Sequence, residues 1–147
     1  MKGYNYFVDT NIFLRVLLKD EEKTFEDCLR FLKEIKNGRV RAVTSNLVLA
    51  EINWTLLKFY KFPKEDTING LSSILNLRHL KFVDNFNPIL AIKFYKNHPI
   101  KFIDALIASN RKIFNKEIEV VSYDRDFDKL GVLRIEPKEI IKNIDNV

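Results

Sequence analysis

Short apolar runs alternate with longer amphipathic stretches along the 147 residues. Tyr4 to Val8 is an aromatic and β-branched run suited to a buried strand, and Ile12 to Leu18 reads as a short helix. From Glu22 to Asn37, the residues Phe25, Cys28, Leu29, Leu32 and Ile35 recur at helical spacing, and Asn37-Gly38 supplies a stop. Val40 to Thr44 predicts a second strand. Ser45 or Asn46 caps a helix running to about Tyr60, apolar on nearly every side and therefore expected to be buried. Pro63 suits the first turn of a further helix reaching Leu75, and His79 to Val83 predicts a third strand. Asn87-Pro88 pairs a cap with a first-turn proline, starting a helix through about Asn97. Beyond Pro99, the pattern predicts one helix over Phe102 to Phe114, with Ile103, Leu106, Ile107 and Ile113 inward. Glu119 to Ser122 and Val132 to Ile135 predict the fourth and fifth strands around a turn or short helix at Phe127 to Leu130, and Glu136-Pro137 begins a final helix.

The links between strands are too long for hairpins except near the end. Such alternation predicts an α/β fold in three layers, a central, mostly parallel sheet flanked by helices, forming one domain over residues 1–147. In an open sheet of this kind, ligands bind beyond the carboxyl ends of the strands. Only four Gly and four Pro, with no repeat or low-complexity stretch, exclude a fibrous or disordered chain.

Four acids change the picture. Asp9 ends the first apolar run, Glu51 interrupts Leu47-Val48-Leu49-Ala50-Glu51-Ile52, Asp104 lies within Phe102 to Ala108, and Asp124 follows Val120-Val121-Ser122-Tyr123. An ionised carboxylate in apolar surroundings is costly unless paired or bound to a cation. No Lys or Arg lies within three residues of Asp9 or Glu51, and one divalent cation would satisfy several of these acids together. Simpler roles compete: Asp9 and Asp104 could cap helices, and Asp124, Asp126 and Asp128 could form a polar turn. An EF-hand is excluded there, since Lys129 stands where the glycine belongs and Ile135 where the bidentate Glu belongs.

Together the flanking residues resemble a known family. Phe7-Val8-Asp9-Thr10-Asn11, Leu49-Ala50-Glu51-Ile52, Phe102-Ile103-Asp104-Ala105-Leu106-Ile107-Ala108 and Ser122-Tyr123-Asp124-Arg125-Asp126-Phe127 are similar, in order and spacing, to the four motifs of PIN-domain ribonucleases, especially the small VapC-like toxins. The resemblance implies a PIN-like three-layer sandwich, endonucleolytic cleavage of RNA with Mg²⁺ or Mn²⁺, often a homodimer, and an antitoxin protein as possible partner. By motif, Asp9, Glu51 and Asp104 match the first three metal-site acids. Asp124 best matches the fourth, with Asp126 second and Asp128 also within the local spacing. Ser122 stands where many relatives have Thr, and Asn11 and Ser122 are candidates for polar support of the acids.

The excess of 25 Lys and Arg over 20 Asp and Glu gives a net charge of +5, gathered at Lys33, Lys36, Arg39 and Arg41, at Lys58, Lys61 and Lys64, and at Lys93, Lys96 and Lys101. Such charge attracts polyanions without recognising sequence. Lys101 and Arg125 neighbour the motifs and could contact phosphate. His79 and His98 lack a metal-ligand partner at useful spacing, while Cys28 and Trp54 fit the core. A lone cysteine, no leader-like segment after Met1 and no apolar run near the roughly 20 residues that cross a bilayer predict a cytoplasmic chain without membrane contact. Two other classes compete. A phosphatase with Asp9 as nucleophile would usually carry a second Asp where Asn11 stands, and a catalytically inactive PIN-like domain would bind RNA or protein without turnover.

Overall fold

A computed structural model describes residues 3–147; the Met1 start, where the sequence reading looked for a leader, lies outside them. Five strands, β1 (Tyr6–Val8), β2 (Ala42–Thr44), β3 (Leu80–Phe82), β4 (Glu119–Val121) and β5 (Arg134–Ile135), form one sheet in the order β3-β2-β1-β4-β5. Every neighbouring pair is parallel, with Tyr6 opposite both Ala42 and Glu119. The β4–β5 link is therefore a crossover, correcting the hairpin allowed by its length: helix α8 (Asp126–Lys129) fills it and leaves the strands running the same way.

The strands are shorter than the apolar runs that announce them. Asn5 and Tyr6 both donate their N–H to the Arg41 carbonyl, so regular pairing starts only at Tyr6. Three-residue strands still suffice because Phe7, Val8, Ala42, Val43, Val120 and Val121 are all buried, giving the sheet apolar contact on both faces.

The flanking helices are α1 (Thr10–Leu18), α2 (Glu22–Lys36), α3 (Asn46–Trp54), α4 (Lys64–Leu75), α5 (Pro88–Asn97), α6 (Phe102–Ala108), α7 (Arg111–Phe114), α8 and α9 (Pro137–Asp145). Helix α2 packs on α1 and α9, α3 on α1 and α4, and α5 on α6. The segment after α3 continues to Phe59 as a π-helical turn, Thr55–Phe59. Pro63 precedes α4 as its cap rather than entering its first turn.

The helix expected over Phe102 to Phe114 is two helices. Asn110 accepts hydrogen bonds from the N–H groups of Lys112 and Ile113, capping α7, and its amide donates to the Asn85 carbonyl. Those bonds replace helical continuation with a second start.

Candidate metal centre

The strand order reverses at β1: the chain builds outward through β2 and β3, then returns to add β4 on the other side. A crevice opens beyond the carboxyl ends of strands at such a point. Asp9 follows β1 there, and Ser122 follows β4 directly alongside.

Asp9 is only 3% exposed. One carboxylate oxygen accepts from the Thr10 N–H at 2.8 Å, capping α1, and the other from the Ser122 hydroxyl at 2.6 Å. The cap of α1 and a place at the crevice thus coexist in one side chain. Asn11 donates its amide to Ser122 Oγ at 2.9 Å and reaches Asp9 Oδ2 at 3.4 Å, while its carbonyl oxygen accepts from the Tyr123 N–H. Ser122 Oγ also accepts from the Asp124 N–H at 3.0 Å. Asn11 and Ser122 therefore tie the end of β1 to the loop carrying Asp124.

Glu51 reaches the same place from α3, with its side chain 18% exposed. The N-terminus of α3 is fixed by Asp84, an acid the sequence reading passed over. Asp84 accepts from the Ser45 hydroxyl at 2.7 Å and from the Asn46 N–H and side-chain amide at 2.9 and 2.7 Å. The signal was available: Asp84 follows Leu80-Lys81-Phe82-Val83 as Asp9 follows its own strand.

Asp104 lies in the first turn of α6, 1% exposed, and is not the cap, which is Lys101. Oxygens of Asp104, Asp124 and Asp126 come within 4.8 Å of one another. Asp126 also pairs with Lys129 at 3.0 Å. Asp128 turns the other way, onto Arg134 at 3.0 Å, which takes it out of the cluster. Lys101 Nζ lies 3.6 Å from Glu51, 3.8 Å from Asp124 and 4.0 Å from Asp104, so these three carboxylates share one ammonium.

The crowding shows in the proton affinities. The Asp104 carboxyl is pushed up to about 8, by burial first and then by the charge of Asp9, with Lys101 opposing and Asp124 adding to the rise. Burial likewise raises Asp9 to about 6, against the hydrogen bonds from Ser122 and Thr10. Partial burial pulls the Lys101 ammonium down, but Asp104, Glu51, Asp9 and Asp124 together hold it above the ordinary lysine value.

Asp104 Oδ2 is buried with no hydrogen-bond partner, an arrangement costly in a finished fold. An all-oxygen carboxylate set with such an unsatisfied member fits a hard divalent cation. Asp104, Asp124 and Asp126 stand close enough to share one, with Asp9 and Glu51 charge-coupled around them.

Trp54 corrects the expectation of a core residue. It is 61% exposed, because the buried side of α3 is Val48 and Ile52. The helix is apolar all round yet covered on one side only.

Fold and site together define a parallel-sheet α/β protein whose switch-point crevice carries a carboxylate cluster able to hold a divalent cation. The chain belongs to the PIN domain family, whose model matches residues 6–133. It is 31% identical over 134 residues to a VapC ribonuclease of Aquifex aeolicus, covering 90% of this chain and 96% of that one. Among solved structures, PAE2754 from Pyrobaculum aerophilum matches with a TM-score of 0.69 at 14% identity, covering 98% of this chain and 97% of that chain. VapBC2 from Rickettsia felis, bound to a DNA fragment from its promoter, matches with a TM-score of 0.61 at 21% identity, covering 89% and 97%. No helix among the described residues is long and apolar enough to cross a membrane.

Proposed function

We propose that the chain is a metal-dependent endoribonuclease using Mg²⁺ or Mn²⁺, a single PIN-like domain over residues 1–147 acting in the cytoplasm as the toxin of a toxin–antitoxin pair. The observation that carries the reading is the convergence of Asp9, Glu51, Asp104 and Asp124 on one crevice, with the buried Asp104 Oδ2 left unsatisfied. The 31% identity to a VapC ribonuclease supports RNA as substrate, and the VapBC structural neighbour supports an antitoxin protein as partner.

Asp104 and Asp124, with Asp126 beside them, would hold the cation, and Asp9 would add its charge from the end of β1. A divalent ion so held supplies positive charge against a phosphodiester and makes a nearby water more acidic. Glu51, more open to water than Asp9 or Asp104 and outside the Asp104–Asp124–Asp126 group, is the carboxylate left to accept the proton of an attacking water. Ser122 and Asn11 keep Asp9 oriented, so the carboxylates need little rearrangement when substrate arrives. The net charge of +5 speeds encounter with RNA.

A homodimer is supported by Ile89, Ile92 and Tyr95, which recur at three-residue spacing along α5 and are all exposed.

The test is cleavage of a mixed single-stranded RNA pool by wild type and Glu51→Gln, with Mg²⁺, with Mn²⁺ and with chelator. Metal-dependent cutting that falls at least 100-fold in the variant is expected, on the scale of a lost proton acceptor. Metal-independent RNA binding with no cleavage by wild type across the pool would favour the inactive binding domain instead.

A further inference from the structure

We propose that Lys101 is a tethered counter-cation, its ammonium lying, in the cation-free protein, among Glu51, Asp104 and Asp124 and so against the two carboxylates, Asp104 and Asp124, that a divalent ion would also need, so that cation entry requires Lys101 to swing out. The inference rests on the metal-centre reading above and adds to it a residue that sets how readily the centre fills.

The position of the ammonium is central. Its distances to Glu51 Oε2, Asp124 Oδ2 and Asp104 Oδ2 are 3.6, 3.8 and 4.0 Å, nearly equal and all longer than a direct N–H···O bond. A lysine committed to one partner would close on it, as Lys129 does on Asp126 at 3.0 Å. Lys101 instead spreads one charge over carboxylates from α3, α6 and the loop after β4, which is the placement of an ion rather than of a salt-bridge partner.

The side chain is also built to leave. The Lys101 backbone is fixed, its carbonyl accepting from the Ala105 N–H at 3.1 Å at the start of α6. The stem beyond it is flexible and the side chain is 59% exposed, so the ammonium has an open path into water, where it regains the hydration that partial burial removes. Asp104 cannot follow, because its carboxyl is buried in the first turn of the helix. The carboxylates stay and the ammonium moves.

A doubly charged ion and an ammonium at such separations repel by more than thermal energy even with the screening of water. Removing the ammonium while keeping the apolar stem should therefore tighten cation binding by roughly tenfold. The same removal takes away the charge that offsets the carboxylates' mutual repulsion, so the cation-free variant should melt earlier.

Isothermal titration with Mg²⁺ at pH 8.5 and low salt, on wild type, Lys101→Met, Lys101→Gln and Lys96→Met, reads the first effect. Thermal melting in chelator and in saturating Mg²⁺ reads the second. Both neutral variants at position 101 are expected to bind Mg²⁺ about tenfold more tightly than wild type. They should melt lower in chelator, with the gap closing when Mg²⁺ is added. Lys96, exposed on α5 and outside the cluster, controls for general loss of charge, and its variant should bind as wild type does. Mg²⁺ affinity unchanged or weakened in both Lys101 variants, with wild type binding normally, would overturn the role given to Lys101 and leave the metal centre standing. No Mg²⁺ binding by any of the four proteins would overturn both.

Discussion

Asp9 and Asp104 carry opposite lessons about reading acids from a chain. Both interrupt apolar runs, and both are buried, but Asp9 is satisfied by Ser122 and Thr10 while Asp104 keeps one oxygen without a partner. Their raised proton affinities, to about 6 and about 8, fix a pH dependence. Each group favours the folded state while protonated, so its contribution is full below the unfolded value near 4 and is lost as pH rises, through about 6 for Asp9 and about 8 for Asp104. A cation reverses the preference by binding the ionised forms. Mg²⁺ affinity, followed by isothermal titration, should therefore weaken steadily as pH is lowered from about 8.5 to about 6, and undiminished affinity would refute the assignment of these carboxyls. The conflict between apolar neighbours and a charge was legible in the sequence for all four acids. The choice among Asp124, Asp126 and Asp128 was not, because it depends on the turn of α8, which gives Asp128 to Arg134. Trp54 was misread for a related reason: periodicity tells which residues share a helix face, not what covers that face.

Among the elements, the helices before β4 were legible wherever a capping residue and an apolar stripe agreed, as at Asn87-Pro88 for α5. The break between α6 and α7 was hidden because the amide of Asn110 takes partners 25 residues away, at Asn85, which no local window contains. Strand ends shifted inward for a similar reason: pairing ends where the neighbour ends. Asp84 is the element-scale counterpart of the site acids, holding Ser45 and Asn46 so that α3 delivers Glu51 to the crevice. Asp84→Ala should cost about 1–2 kcal/mol in chemical denaturation, by loss of three hydrogen bonds to a charged group at a helix start. It should also lower RNA cleavage while leaving Mg²⁺ stoichiometry intact. Unchanged stability would mean that those contacts do not anchor the helix.

On the scale of the whole molecule, the alternation of strands and helices carried the parallel sheet, and the order β3-β2-β1-β4-β5 supplies the crevice where the acids meet. The order itself was not legible, since nothing in the pattern says on which side of β1 the fourth strand will add. The exposed apolar face of α5 belongs to this scale too. Ile92→Glu should shift a dimer to monomer in sedimentation at micromolar concentration, through burial of a charge at the centre of the contact, whereas an unaltered profile would move the contact elsewhere.

A chain that keeps Asp104 buried and unsatisfied for the sake of a cation trades stability for chemistry, and one variant measures both sides of that exchange. Asp104→Asn, melted in chelator at pH 8, should be more stable than wild type by about 1–2 kcal/mol, since the amide removes a desolvated like charge. The same protein should lose Mg²⁺-dependent cleavage of the RNA pool. A variant that is less stable and still cuts RNA would contradict the account.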